Sequence, residues 1–306
     1  MKRRVVCDVS GAVCDGWRQP AQNSDALGRR NTLTVCLAVE TVHGMGIQLA
    51  PPHEDLTFMA PLSERRADVL SAFLASGDHL SAADERSYSV VDAGCGWGEL
   101  LLRTLEADPA ARGLGLDLDE GAIAHGRTLA RARGLHDRVD LRVADVRTEL
   151  PAEAAHAICV GASHIWSQTS SSPQPLDYRS ALRALRQVLP PGGRLVYGEA
   201  IWSAPPTEAA MAALSGIAEE FQTLAAVLEV AAEEGFSPVH VFEATLGEWD
   251  EFESGFAACY ARWLSDHPAT HPDSPEVREM AARQRRAYFE GYRGVMGMGY
   301  FGLIAV

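Results

Sequence analysis

The chain has 306 residues, of which 47% are hydrophobic and 22% charged, as in a globular protein large enough to bury a sizeable core. Its formal net charge of −14 repels a phosphate backbone, which argues against general nucleic-acid binding. The six cysteines form no CxxC pair, and no apolar run reaches the length of about 18 residues that a membrane helix needs. We therefore expect no structural zinc, no membrane partner and a cytoplasmic location.

Residues 1–58 differ in pattern from the rest of the chain. They are rich in turn-forming residues, contain a candidate strand at 33–39 and end close to Pro51-Pro52, which blocks regular structure. We expect an N-terminal extension that is partly flexible or forms a lid, with its distal end folding over the core. The alternative is that part of it precedes the native start, because Met45 and Met59 are further candidate initiators.

Helical and strand patterns alternate from residue 61 to residue 202. Apolar residues at helical spacing predict a helix over 63–75. Strands are predicted at 87–92, 113–117, 139–144, 157–161 and 194–202, and helices at 99–107, 120–133 and 177–189. We expect Asp119 to cap the helix over 120–133 and Gly134 to end it. This alternation predicts an α/β fold with a doubly wound, mainly parallel sheet covered on both faces.

The C-terminal third predicts more helix than strand. Helical stretches are expected near 207–234, 248–265 and 275–291, with strands at 238–245 and 298–306. The segment 247–295 separates two strands that we expect to be neighbours, and its many aromatic residues are sufficient for a helical cap. We therefore divide the chain into the extension, 1–58, and one domain, 59–306, with the cap inserted at 247–295.

The most informative stretch runs from Val90 to Leu100, with the sequence VVDAGCGWGEL. An acid ends a buried strand, and glycines at 94, 96 and 98 lead into a helix. Glycine lets the backbone approach a ligand closely, and the N-terminus of the helix offers unpaired N–H groups. A dinucleotide-binding loop requires G-x-G-x-x-G, a spacing that this loop does not have. The pattern therefore argues against a dehydrogenase.

This stretch resembles the first motif of class I S-adenosylmethionine-dependent methyltransferases, an acid followed by G-x-G-x-G. The resemblance continues through Asp117, the run Ala144-Asp145-Val146 and the run Pro191-Gly192-Gly193, and it covers approximately 61–306. It implies a Rossmann-like seven-stranded sheet and S-adenosylmethionine as cofactor. The implied cofactor-binding residues are Asp92, Gly94, Cys95, Gly96, Asp117, Leu118, Asp145, Val146 and Gly161.

The resemblance also implies what three acidic side chains do. Asp92, with the backbone around Gly94, would hold the methionine portion of the cofactor. Asp117 would accept both ribose hydroxyl protons, and Asp145 would accept from the adenine amine while Val146 donates its backbone N–H. The runs 159–164 and 198–202 resemble a bacterial group of small-molecule methyltransferases. That group often has an acid where this chain has His156, which questions the subgroup but not the class.

Four side chains near the carboxyl ends of the predicted fourth and fifth strands are candidates for catalysis and acceptor binding. His164 is the first choice as general base, since imidazole titrates near neutrality; alternatively it orients the loop. Glu199 either binds a cationic or hydroxylated acceptor or anchors the cap through an arginine. Trp166 and Trp202 either wall the acceptor pocket or close the core. His267 and His271 are each followed by proline, so we expect no metal site there.

The leading hypothesis is transfer of a methyl group to O, N, S or C of a small molecule by in-line displacement. One alternative is a protein that binds the cofactor without transferring its methyl group. The other is a methyltransferase of protein or RNA, which would need an open basic groove that the sequence does not indicate.

Overall fold

The computed structural model describes residues 47–76, 88–167 and 174–306. The candidate strand at 33–39 and most of the loop 167–175 lie outside these ranges. In chain order, the elements are α1 (Glu64–Ala75), β1 (Val90–Ala93), α2 (Glu99–Ala107), β2 (Gly113–Asp117), α3 (Glu120–Ala132), β3 (Val139–Val143), α4 (Val146–Glu149), β4 (His156–Val160), α5 (Tyr178–Val188), β5 (Arg194–Trp202), α6 (Glu208–Ala213), α7 (Leu224–Glu233), β6 (Phe236–Glu243), α8 (Leu246–Asp266), α9 (Ser274–Arg286) and β7 (Met296–Ala305).

Seven strands of the described ranges form one sheet, in the order β3-β2-β1-β4-β5-β7-β6. The strands β1 to β5 are parallel, and β7 lies antiparallel between β5 and β6. From Leu195 to Trp202 every residue of β5 is buried; because neighbouring residues point to opposite faces, both faces of the sheet are covered. The predicted doubly wound, mainly parallel Rossmann-like sheet is confirmed.

Local sequence signals explain most element boundaries. The predicted bounds of α2, β2 and β5 match the structure. Asp119 caps α3 by accepting from the Ala122 N–H at 2.9 Å, and Gly134 follows the end of the helix with φ +69°. The predicted helix over 275–291 is divided into α9 and a π-helical turn, Ala287–Tyr292. His156 begins β4 and accepts from the Arg194 N–H, so this departure from the bacterial group lies at the amino end of the strands.

The described part of the predicted extension packs against the domain. Leu56 and Phe58 are buried in the main hydrophobic core, and Ile47 is buried with Tyr260 and Trp263 of α8. The backbone N–H of Ser63 donates to Glu248 at the start of α8, at 3.0 Å. The boundary that we predicted at residue 58 therefore falls inside a continuously packed segment. We call residues 47–62 the strap.

The strap and α8 meet at Gly255, where a methyl side chain should destabilise the fold. A Cβ added at Gly255 would lie 2.2 Å from Leu56 Cδ2. We expect Gly255→Ala to lower the free energy of unfolding by about 1–3 kcal/mol, because Leu56 is buried and has little room to move. Urea denaturation measures this change.

Gly247→Ala is the control on the same helix, since the nearest atom to its added Cβ is Thr245 Oγ1 at 3.9 Å. Alanine favours helix, so this variant should be as stable as the wild type or more stable by up to about 1 kcal/mol. Equal stabilisation by both substitutions would contradict the packing of the strap on α8.

Candidate functional site

The glycine-rich loop after β1 bends over the carboxyl end of β2. The backbone N–H groups of Gly94 and Cys95 donate to the Leu116 carbonyl at 2.9 and 3.0 Å. The Gly96 N–H donates to Asp117 Oδ2 at 2.7 Å. These bonds fix the loop beside the acid that the sequence analysis expected to bind ribose.

Asp117 joins this loop to the start of α3. Its Oδ1 accepts from the Asp119 N–H at 2.9 Å, while Oδ2 holds Gly96. The Leu118 backbone is a third hydrogen-bond partner, and because a carboxylate can accept about four hydrogen bonds, Asp117 retains capacity for a ligand hydroxyl. Burial raises the pKa of Asp117, and the backbone N–H donors oppose that rise.

The loops after β1 and β4 touch at Gly94. This glycine has φ +75°, and a Cβ added to it would lie 2.5 Å from the Cβ of Ala162. Because β1 and β4 are adjacent while the chain runs outward from them in opposite directions, this contact lies at the switch point of the sheet. Open α/β sheets bind ligands in the crevice at that point, so both loops border the candidate site.

Asp92, at the end of β1, is a buried acid with a side-chain exposure of 4%. No hydrogen bond reaches its carboxylate from residues in the described ranges. Burial raises the pKa of Asp92 well above its usual range, and the charge of Asp117 raises it further. A ligand cation would reverse both effects, since it favours the ionised carboxylate. The acid therefore fits the ammonium group of a methionine moiety.

The predicted cofactor-binding residues after β2 and β3 differ in exposure and in the partners that their side chains already have. Leu118, directly after Asp117, leaves 59% of its apolar side chain exposed, whereas Val146 is buried. Asp145 caps α4 through the Arg147 N–H at 3.0 Å and forms an ion pair with the Arg147 guanidinium at 2.6 Å. This pairing occupies the carboxylate that we expected to accept from the adenine amine, so Asp145 is less suited to that role than the sequence indicated.

His164 lies on a short 3₁₀ turn, Ser163–Trp166, which follows β4 and Gly161. The Gly161 N–H donates to the Gly198 carbonyl of β5 at 2.8 Å, and Gly161 has φ +68°. Burial lowers the pKa of His164 from 6.5 to about 4, opposed by a hydrogen bond with the Gly161 backbone. The imidazole is therefore neutral near pH 7, the form that can accept a proton.

We expected the Glu199 side chain to reach the mouth of the site, but it is buried. Its side chain is 1% exposed, and its two oxygens accept from the backbone N–H groups of Ser163 and Ala200 at 3.0 and 2.9 Å. The Ser163 side chain is a further hydrogen-bond partner, and among the described residues no arginine bonds to Glu199. Burial raises the pKa of Glu199. Its placement supports the β4 loop and does not leave it free to bind an acceptor.

The two candidate acceptor-binding tryptophans are placed differently. Trp202 is buried, donates from its indole Nε1 to the Ala218 carbonyl at 2.7 Å and packs edge-on against Phe221. This arrangement matches the alternative in which Trp202 closes the core. Trp166 is partly buried and packs against the core from the same turn as His164. Cys95 is also partly buried, and burial raises the pKa of its thiol well above the usual range.

A ring cluster that the sequence did not predict joins the strap to the glycine-rich loop. Trp97 donates from Nε1 to the Thr57 carbonyl at 2.9 Å. His53 stacks on His125 of α3 with ring centroids 3.8 Å apart, and both rings stand edge-on to Trp97. The only local signal was a tryptophan inside the glycine motif; contacts between residues this far apart in sequence have no periodicity.

The described residues contain no group of three or more His, Cys, Asp or Glu side chains arranged to hold a metal ion. His267 and His271, which prolines keep off a shared helical face, nevertheless bring their rings together, with centroids 4.9 Å apart beside Trp263. Within the same ranges, no helix has both the length and the apolar character required to cross a membrane.

Comparison with known proteins identifies the segment that carries the site. A family model described as a methyltransferase domain matches residues 90–193. The protein YjhP of Escherichia coli (strain K12) is 28% identical over 219 residues, which cover 71% of this chain and 84% of that protein. The phenazine O-methyltransferase PhzM of Lysobacter antibioticus is 32% identical over 142 residues, or 44% of this chain and 41% of that protein.

A solved structure gives the same fold over most of the chain. The S-adenosylmethionine-dependent methyltransferase of Geobacter sulfurreducens, in complex with S-adenosylhomocysteine, is similar with a TM-score of 0.69 and 24% identity. The match covers 85% of this chain and 100% of that one. This likeness shows the fold, and the matched domain agrees with the predicted methyltransferase class.

The lowered pKa of His164 predicts a loss of stability in acid. Between pH 6.5 and about 4 the unfolded chain binds a proton that the folded His164 does not bind. As the pH falls through this window, the wild type should lose at most about 3 kcal/mol relative to His164→Gln, and above it the difference should be constant. Urea denaturation across the window measures both proteins. A difference in stability that does not change with pH would contradict the burial of this imidazole.

Proposed function

We propose that the chain is a class I S-adenosylmethionine-dependent methyltransferase whose acceptor is a small molecule bound where the loops after β1 and β4 meet. The observation that carries this proposal is the contact between Gly94 and Ala162 beside the buried carboxyl of Asp92. It supports the proposal because a buried acid that a cation would favour then lies close to the loop that carries a neutral imidazole.

The residues of the glycine-rich loop and the neighbouring strand ends fit the cofactor. Asp92 would bind the ammonium group of the methionine moiety, and Asp117 would accept from the ribose hydroxyls through its remaining acceptor capacity. The exposed side chain of Leu118 and the backbone N–H of Val146 would contact the adenine. When bound, S-adenosylmethionine supplies a methyl group that its sulfonium makes electrophilic.

The role of His164 follows from its neutral state. A hydroxyl oxygen that gains a methyl group becomes a protonated ether, which is a strong acid, so a base whose conjugate acid has a pKa of about 4 suffices to take its proton. His164 would hold that proton as the imidazolium and release it to solvent afterwards. Methyl transfer also requires in-line alignment of the acceptor, which the 3₁₀ turn would provide together with Trp166.

Charge and architecture favour a small acceptor over a macromolecule. The net charge of −14 disfavours RNA, and the strap lies over the glycine-rich loop while packing on α8 of the inserted segment. The similarity to a protein named as a phenazine O-methyltransferase supports a small acceptor as well. We propose that the helices of segment 247–295 and the strap together enclose it.

Transfer from labelled cofactor tests the proposal directly. The purified protein is incubated with methyl-labelled S-adenosylmethionine and separate small-molecule and macromolecular fractions of a bacterial extract. We expect label to enter the small-molecule fraction only, and His164→Gln to slow that transfer by at least about tenfold. Label in protein or RNA, or cofactor binding with transfer to neither fraction, would contradict the proposed acceptor class.

The contact at Gly94 makes a prediction about cofactor affinity. In Gly94→Ala the new Cβ would lie 2.5 Å from Ala162 Cβ, so the two loops must separate. We expect the dissociation constant for S-adenosylhomocysteine, measured by calorimetry, to rise at least about tenfold, or about 1.4 kcal/mol.

Gly134→Ala is the matched control, since Gly134 also has a positive φ, of +69°, but nothing lies within 4 Å of its added Cβ. Its backbone strain should reduce stability by about 1–2 kcal/mol and leave the affinity unchanged. An unchanged affinity in Gly94→Ala would show that contact between the loops is not needed for binding.

A further inference from the structure

Three consecutive residues of β5 hold the loop after β4. The phenol of Tyr197 and the hydroxyl of Ser163 share a hydrogen bond of 2.5 Å. The Gly198 carbonyl accepts from the Gly161 N–H, and the Glu199 carboxylate accepts from the Ser163 N–H. Because Tyr197 and Glu199 bind the hydroxyl and the N–H of the same residue, they fix both its side chain and its backbone.

These bonds are formed away from water. Ser163 and Tyr197 have no exposed surface, and Glu199 is almost completely buried. Water therefore cannot replace a bond that is lost, and an unmade bond leaves an unsatisfied buried polar group. The loop thus has one favoured position, which the side chains of β5 determine.

The position of Ser163 matters because of its two neighbours in sequence. Ala162 precedes it and contacts Gly94 of the glycine-rich loop, and His164 follows it on the 3₁₀ turn. A movement of Ser163 would therefore change both the contact with the cofactor loop and the direction of the imidazole.

We propose that Tyr197 and Glu199 are positioning residues that, through Ser163, set the place of His164 relative to the glycine-rich loop. This inference rests on the proposed function, in which His164 faces the acceptor. Both residues are buried in the core of the sheet, so they would act on the site through Ser163.

The support behind Glu199 extends away from the site. Its other oxygen accepts from the Ala200 N–H, and the Ala200 carbonyl accepts from the phenol of Tyr178 at 2.6 Å. That phenol in turn accepts from the Gln222 N–H at 3.2 Å. The carboxylate is therefore held on both sides, so it can fix the loop in place.

Two variants remove the support while keeping the shape of the core. Tyr197→Phe removes the phenol oxygen, and Glu199→Gln places an amide N–H₂ where one of the two backbone N–H donors needs an acceptor. Tyr300→Phe is the control, because Tyr300 is equally buried and its phenol also makes one hydrogen bond, to the Pro61 carbonyl at 3.1 Å, away from the β4 loop. Ser163→Ala removes the partner of Tyr197 and is used if Tyr197→Phe fails to fold.

The imidazole of His164 reports the position of its loop. Proteins labelled with ¹³C-histidine are titrated by NMR, with a His164→Gln spectrum to identify the signal. In the wild type and in Tyr300→Phe we expect a pKa of about 4. In Tyr197→Phe and Glu199→Gln we expect it to rise by at least about one unit, because a displaced imidazole regains water.

Binding of S-adenosylhomocysteine is measured by calorimetry on the same samples, which separates the two claims. Failure of the wild type to bind would refute the proposed function whatever the titration gives. If the wild type binds and the pKa of His164 is the same in all variants, the positioning role is overturned. A pKa that rises equally in Tyr300→Phe would also overturn it, since loss of any buried phenol would then suffice.

Discussion

The site depends on the close approach of two loops at the switch point of the sheet. The chain leaves β1 toward β2 on one side and enters β4 on the other, so the loops that follow these two strands meet at one edge. Gly94 and Ala162 meet there with no room for a further carbon atom. Asp92 and His164 each lie two residues along the chain from this contact. A side chain at position 94 would separate the two loops that we propose bind the cofactor and the acceptor.

Burial favours the neutral form of each ionisable side chain at the carboxyl ends of β1, β2, β4 and β5. Burial is the largest cause of the raised pKa of Asp92, Asp117 and Glu199, and it is also the cause of the lowered pKa of His164. A cation bound beside the acids would restore their charge, whereas His164 has no carboxylate among the causes of its shift and stays neutral. The same burial thus favours a cationic cofactor and a proton-accepting imidazole.

Local patterns in the sequence predicted the sheet and the cofactor loop. The alternation of apolar segments, the cap at Asp119 and the acid before the glycines at 94, 96 and 98 are all short-range signals. They were sufficient for the fold class, for the methyltransferase domain that the family model matches over 90–193, and for the placement of Asp117 at the end of β2. The bounds of α2 and β5 could be read for the same reason.

The features that sequence analysis missed join residues far apart in the chain. Leu56 is buried in the main core and lies against Gly255 of α8, a contact with a distant residue, so from the sequence it looked like part of a loose extension. The Glu199 side chain points inward because it accepts from Ser163, which lies on the loop after β4 and is distant in sequence. Arg147, by contrast, lies two residues from Asp145, and its pairing could have been anticipated from the sequence.

Calorimetric titration of S-adenosylhomocysteine into the wild type and Asp117→Asn tests the central claim most directly. Asp117 should accept from the ribose through the same carboxylate that holds Gly96, so the account predicts saturable binding to the wild type and affinity at least about tenfold weaker in the variant. Absence of binding to folded wild-type protein, or equal affinity in the two proteins, would contradict the claim that the glycine-rich loop and Asp117 bind the cofactor.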